Sequence, residues 1–209
     1  MVIYGQRIKM RHHEMNDPDN GFIAGFYIED DALIQRIIDH HSNGNQIKGQ
    51  VGTKDGHRVD PTLKDSVDVE LNGAVFQEYM NALANCFNEY NLLYPESNKT
   101  APYGVMEVVN IQRYDPPAGG YHSWHTERAS GHFPSVLRHL VFMTYLNDVE
   151  EGGETEWKYQ KLRVKPEKGL TVIWPSDWTH THRGLVAPNE TKYIVTGWVD
   201  FAPPQPPQE

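Results

Sequence analysis

Cysteine is almost missing from this sequence. Its 209 residues include one, Cys86, which excludes an internal disulfide framework. Cys86 sits inside an apolar helical pattern, where a thiol serves as a small buried hydrophobe. Positive charge is thin as well. Lys and Arg number 19 against 28 Asp and Glu, for a net charge of −9, and the basic residues form no run. A phosphate-tracking surface is therefore disfavoured, and no nucleic-acid partner is expected. Long apolar stretches are also absent. None reaches the ~18 residues that suggest a membrane helix, and the opening "MVIYGQRIKMRHH" has no apolar core of leader length. The expectation is a soluble, cytoplasmic protein with no membrane partner. Asn98 and Asn189 begin Asn-x-Thr triplets, which read as chance matches without a secretory leader. Oligomeric state has no signature in the sequence.

What is present divides into two halves. A single domain over 1–209 is expected, large enough for a substantial core. Residues 1–100 read as helical and loop support, 101–201 as a β core, and 202–209 as a Pro-rich tail. In the first part, "EDDALIQRIIDHH" opens with acids suited to a helix N-terminus and places Leu33, Ile34, Ile37 and Ile38 at helical spacing. "GAVFQEYMNALANCFNEY" does the same with Val75, Phe76, Tyr79, Met80, Leu83, Phe87 and Tyr90. Between them the polar, Gly-rich stretch 41–62 predicts a loop with one short strand, long enough to act as a lid or binding segment. From Gly104 onward, "GVMEVVNIQRY", "VLRHLVFMTYLNDV", "GLTVIWP" and "KYIVTGWVDF" are β-rich runs separated by turns such as "DPPAGG" and "EEGGE". Helices followed by antiparallel strands predict a mainly β fold, a sandwich or barrel with helices packed on one face.

The chemistry concentrates in "YHSWHTER", residues 121–128. On a strand, side chains two apart share a face, so His125 and Glu127 would converge, with Tyr121 and Ser123 on the same side and His122 and Trp124 turned away. A second histidine group, "WTHTHRG", offers His180 and His182, whose equal parity does not choose between them. Two histidines and a carboxylate on a β scaffold suit Fe(II) with open positions, or zinc with a bound water. The zinc-peptidase helix signature is absent. Scattered surface histidines are the bland alternative, since the chain has 11.

From Tyr114 to Trp198 the sequence resembles the Fe(II)/2-oxoglutarate-dependent dioxygenases, in particular their prolyl 4-hydroxylase-like branch. "RYDPPAGGYHSWHTE" is similar to that branch's Tyr, Gly-rich turn, Tyr and His-x-acid. "YLNDVEEGGETEW" is similar to its Tyr-Leu-Asn and Gly-Gly-x-Thr segment, and "HRGLVAPNETKYIVTGW" to its distal His-x-Gly, basic residue and Trp. The resemblance implies a double-stranded β-helix (jelly-roll) core. It implies His125, Glu127 and His182 as the ligands of Fe(II), with His180 a neighbour. It implies Lys192 and Tyr145 on the distal carboxylate of 2-oxoglutarate as cosubstrate, Tyr114 and Thr155 lining that pocket, and Trp198 as a wall. O2 would be the oxidant and ascorbate a reductant.

The implied reaction hydroxylates an unactivated C–H bond, of a prolyl residue in a peptide or protein, while 2-oxoglutarate becomes succinate and CO2. Arg128, Arg138 and Trp198 are the substrate candidates, with 41–62 and 127–136 framing a groove; Arg138 also fits a structural ion pair. The family usually carries His-x-Asp, and this chain has the longer Glu127. The alternatives are the same chemistry on a free amino acid or other small molecule, a zinc-dependent hydrolase, and a non-catalytic metal-binding jelly roll.

Overall fold

The computed structural model describes residues 10–15, 21–53, 56–128 and 133–202. The tail from 203 onward, the opening residues 1–9 and part of the 127–136 stretch lie outside the described residues. The chain is mostly β, with antiparallel sheets and two α-helices among the described residues.

Helix α1 covers Asp31–Asn43, as its periodicity predicts. Asp30 caps it by accepting from the backbone N–H of Leu33 at 2.9 Å, a contact that stabilises a helix by about 1 kcal/mol. Helix α2 covers Gly73–Leu93 and buries Tyr79, Leu83, Cys86 and Tyr90. The apolar stripes of both helices meet Phe26, Ile111, Leu140, Phe142, Ile173, Val195 and Val199 in one core.

Those strand residues belong to a nine-stranded sheet whose centre runs Ala24–Tyr27, Leu170–Pro175, Arg138–Tyr145, Lys192–Phe201, Asn110–Tyr114 and Val67–Glu70. The second sheet has five short strands, ordered Leu162–Val164, Thr155–Trp157, His182–Gly184, Gly120–His125 and Lys64–Asp65. A second core contains Val141, Met143, Tyr145, Trp157, Val164, Val172, Trp174 and Ile194. Alternation along the strand 138–145 therefore divides its side chains between the two cores. Leu140 and Phe142 pack with the helices, and Val141, Met143 and Tyr145 pack in the second core. With both faces covered, the run reads as continuously apolar rather than alternating.

Strand formation is not confined to the region after Gly104. Ala24–Tyr27 and Val67–Glu70 join the large sheet from the N-terminal half. The first is buried at all of its positions, so it carries no alternation to mark it. The 41–62 stretch is also more ordered than a loop with one strand: Ile47–Lys48 pairs with the large sheet, and Val51–Thr53 pairs with Gly56–Arg58.

Candidate active site

His125 and His182 are directly opposed partners on adjacent antiparallel strands of the small sheet. Cross-strand pairing alone thus brings the two rings to 4.3 Å between centroids. Glu127 does not follow by simple strand alternation. The strand ends at His125, its register shifts between Tyr121 and His125, and the Glu127 backbone N–H is held by the carbonyl of Ser176 at 3.2 Å. The carboxylate still arrives between the rings. Its Oε1 lies 3.4 Å from Nε2 of His125 and 3.4 Å from Nε2 of His182. One ligand atom from each of His125, Glu127 and His182 lies within 4.8 Å of the others.

The remaining ring nitrogens settle what these atoms are. Nδ1 of His125 faces the carbonyl of Ser123 at 2.9 Å, and Nδ1 of His182 faces that of His180 at 3.0 Å. A carbonyl only accepts, so each Nδ1 carries a proton and each Nε2 is the nitrogen left to face Glu127. Burial and the neighbouring His125 lower the pKa of His182, favouring the neutral ring. Burial would raise Glu127, but the facing His125 and His182 hold it well below the usual carboxylate range. The three ligand atoms therefore converge on one point, two imidazole nitrogens and a carboxylate oxygen, a set that a divalent cation accepts. The donor set fits such an ion.

His180 stands apart from this centre. Its Nε2 is hydrogen-bonded to the carbonyl of Gly21 and its Nδ1 to Thr179 at 2.9 Å, while its backbone carbonyl positions His182. Tyr121 stacks on His125 with centroids 3.7 Å apart. Trp124 turns outward beneath the guanidinium of Arg183, 4.4 Å from its ring centroid.

The other sequence-derived residues gather alongside. Lys192 and Tyr114 are register partners, with Nζ 4.9 Å from the tyrosine centroid. Thr155 is opposite Gly184, and a Cβ at Gly184 would sit 3.7 Å from Lys192 Nζ. Tyr145 donates to Thr155 at 2.7 Å, and Tyr114 donates to Gln112 at 2.7 Å. Lys192 is 2 % exposed, and its ammonium donates to the carbonyl of Gly153 at 2.8 Å. Among the described residues no carboxylate pairs with it, and burial pushes its pKa down to about 8 against the pull of Glu154. The "GG" of the sequence makes that carbonyl available. Gly152 and Gly153 both have φ of +74°, and a Cβ at Gly152 would stand 2.2 Å from the Val186 carbonyl.

Arg138 is committed within the protein. It pairs with Glu107 through two bonds of 2.5 and 2.6 Å and covers the Trp198 ring at 3.6 Å. Trp198 is more than a wall, since its Nε1 donates to Glu127 Oε2 at 3.0 Å. Arg128 donates to the Arg138 carbonyl and pairs with Asp177 at 3.3 Å. Sequence reasoning missed Glu107, and it missed Trp178 and Tyr159, which are 66 % and 56 % exposed and meet edge to face at 6.0 Å. Trp178 opens the turn that leads to His182. No periodic pattern marks an exposed aromatic in a turn.

A family model described as the 2OG-Fe(II) oxygenase superfamily matches residues 109–200. That segment holds every residue of the cluster. That stretch of the chain is similar to the 2OG-Fe(II) oxygenase superfamily, and the match supports a 2-oxoglutarate-dependent dioxygenase. No curated protein matches it in sequence. Among solved structures it is similar to a viral collagen prolyl hydroxylase from Paramecium Bursaria Chlorella virus-1 in its 2OG complex. That match has TM-score 0.63 and 19 % identity, covering 88 % of this chain and 98 % of the other. A Pseudomonas putida prolyl-4-hydroxylase matches with TM-score 0.63 and 14 % identity over 85 % of this chain and 92 % of its own. A Trichoplax adhaerens prolyl hydroxylase in complex with a hypoxia inducible factor peptide fragment matches with TM-score 0.65 and 14 % identity over 88 % and 84 %. The chain shares its fold with prolyl hydroxylases. Among the described residues no helix is long and apolar enough to cross a membrane.

Proposed function

We propose that His125, Glu127 and His182 hold Fe(II), that Lys192 holds 2-oxoglutarate, and that the enzyme hydroxylates a prolyl residue in a peptide or protein. The observation that carries the reading is the convergence of two imidazole Nε2 atoms on one carboxylate oxygen, with both Nδ1 positions already engaged by backbone carbonyls. The two antiparallel sheets are read as a double-stranded β-helix, with the site on the small sheet.

When bound, the ion supplies activation of O2, so that one oxygen atom enters a substrate C–H bond while the other converts 2-oxoglutarate to succinate and CO2. Ascorbate would serve as the reductant that keeps the ion ferrous. The chain's own work is binding and orientation. Lys192 offers a fixed cation, in a buried setting, to the distal carboxylate of the cosubstrate. Burial raises the Tyr145 phenol, keeping it an O–H donor at the same pocket, with Thr155 beside it and Tyr114 on the opposite strand. The apolar lining from Val141, Met143, Trp157 and Trp174 keeps water from the reacting groups. A peptide is favoured over a free amino acid because Trp178 and Tyr159 form an exposed aromatic face beside the third ligand, suited to an extended proline-bearing segment. Arg128 lies on the same rim.

An anaerobic titration of metal-free protein with Fe(II) and then 2-oxoglutarate, followed by absorption, tests the reading. A weak visible band that requires both additions and bleaches in O2 is the expected result. Tight zinc binding with no such band would instead favour a hydrolase or a silent metal-binding module.

A further inference from the structure

We infer that Trp198 and Arg138 are positioning residues that tie back one oxygen of Glu127, leaving Oε1 alone for a metal. The inference rests on the proposed iron site and adds how that site tolerates a glutamate. A glutamate is one methylene longer than an aspartate and has an extra torsion, so its carboxylate must be restrained to be a defined ligand.

The restraint is visible at both oxygens. Oε1 sits 3.4 Å from each histidine Nε2. Oε2 accepts from Trp198 Nε1 at 3.0 Å and lies 3.5 Å from Arg138 Nη1. The same Nη1 donates to the backbone carbonyl of Glu127 at 2.8 Å, so the guanidinium grips the residue at its main chain and at its side chain. Arg138 is itself fixed: Nε and Nη2 form a fork on Glu107 at 2.5 and 2.6 Å, and the plane covers the Trp198 ring at 3.6 Å. All three guanidinium nitrogens are occupied within the protein, so Arg138 serves the glutamate and not the substrate. Trp198 and Arg138 lie on paired central strands, Lys192–Phe201 and Arg138–Tyr145, and Trp198 is opposite Val141. The centre of the large sheet therefore supports a ligand whose own strand has already ended.

The test is Mn(II) binding to the full chain, read as free Mn(II) by electron paramagnetic resonance, for wild type, Trp198→Phe and Arg138→Lys. Partners of metal-ligating side chains typically contribute 10–100-fold in affinity. Trp198→Phe is expected to weaken Mn(II) about tenfold while the thermal midpoint of metal-free protein moves little, a split that a merely structural role would not produce. Arg138→Lys should show the same loss, and it decides the matter if Trp198→Phe fails to fold. A change below threefold in the folded variant overturns the inference. If wild type binds no Mn(II), the iron-site reading fails with it; if wild type binds and the variants bind equally, only this inference fails.

Discussion

Replacing Lys192 with methionine should move stability and cosubstrate affinity in opposite directions. The ammonium is buried, and its pKa falls from 10.5 to about 8 chiefly through loss of solvation. That depression corresponds to about 3 kcal/mol of unfavourable free energy in the protonated folded state. Methionine removes the charge but also the 2.8 Å hydrogen bond to Gly153, which contributes about 1 kcal/mol. The metal-free variant should therefore gain about 2 kcal/mol, raising its midpoint by about 5 °C at this chain length. In the wild type the sign follows from the same numbers. The unfolded lysine keeps its proton to about 10.5 and the folded one releases it near 8, so stability climbs as pH rises between these values.

Cosubstrate binding should show the reverse. Without the cation a buried carboxylate loses its partner, which costs about 3 kcal/mol, roughly a hundredfold in affinity. In wild type the affinity should also weaken above pH 8, approaching about tenfold per unit, and the variant should lack that dependence. Calorimetric titration of 2-oxoglutarate into anaerobic Mn(II)-loaded protein, beside differential scanning calorimetry of the metal-free form, measures both. An affinity within threefold of wild type would show that another cation holds the cosubstrate. A lower midpoint would show that Lys192 is a structural hydrogen-bond hub and would refute the reasoning from desolvation.

Other outcomes follow from the same geometry. His182→Ala should abolish Mn(II) binding, whereas His180→Ala should retain it and lose about 1–2 kcal/mol through the broken contact to Gly21; the reverse pattern in metal titration and thermal melts would move the third ligand. Trp178→Ala should raise the KM for a proline-bearing peptide several-fold and leave Mn(II) affinity unchanged, and an unchanged KM would remove the aromatic face from the substrate path. Cys86 has its thiol pushed up to about 12 by burial, so native protein should resist alkylation by iodoacetamide, measured as intact mass, and should react once unfolded.

The strongest periodic signals in the sequence became the clearest elements. Leu33, Ile34 and Ile37 mark one face of α1 and Tyr79, Leu83 and Tyr90 mark α2, because each helix has one face to bury and the period survives in the letters. The run "KYIVTGWVDF" became the strand Lys192–Phe201, residue for residue. Ala24–Tyr27, Thr155–Trp157 and Leu162–Val164 were not legible. They are short, and the first is covered on both faces, so neither length nor alternation separates them from turns.

The candidate site was legible only in part, and the reason is physical. His125 and His182 are visible as letters, but their meeting depends on a cross-strand register that sequence spacing does not encode. The strand-parity argument reached Glu127 by a route the backbone does not take, since the strand stops at His125 and the carboxylate is brought in by a main-chain bond to Ser176. Glu107 had no signature at all, because a surface acid and an acid forked to a buried arginine look alike in sequence. Its role appears once Arg138, Trp198 and Glu127 are seen as one chain of contacts, in which Glu107 fixes Arg138 and the Arg138–Trp198 pair holds the Glu127 carboxylate. A departure at one position, a glutamate in place of an aspartate, is thus supported by side chains far from it in sequence, and only the fold brings them within reach of it.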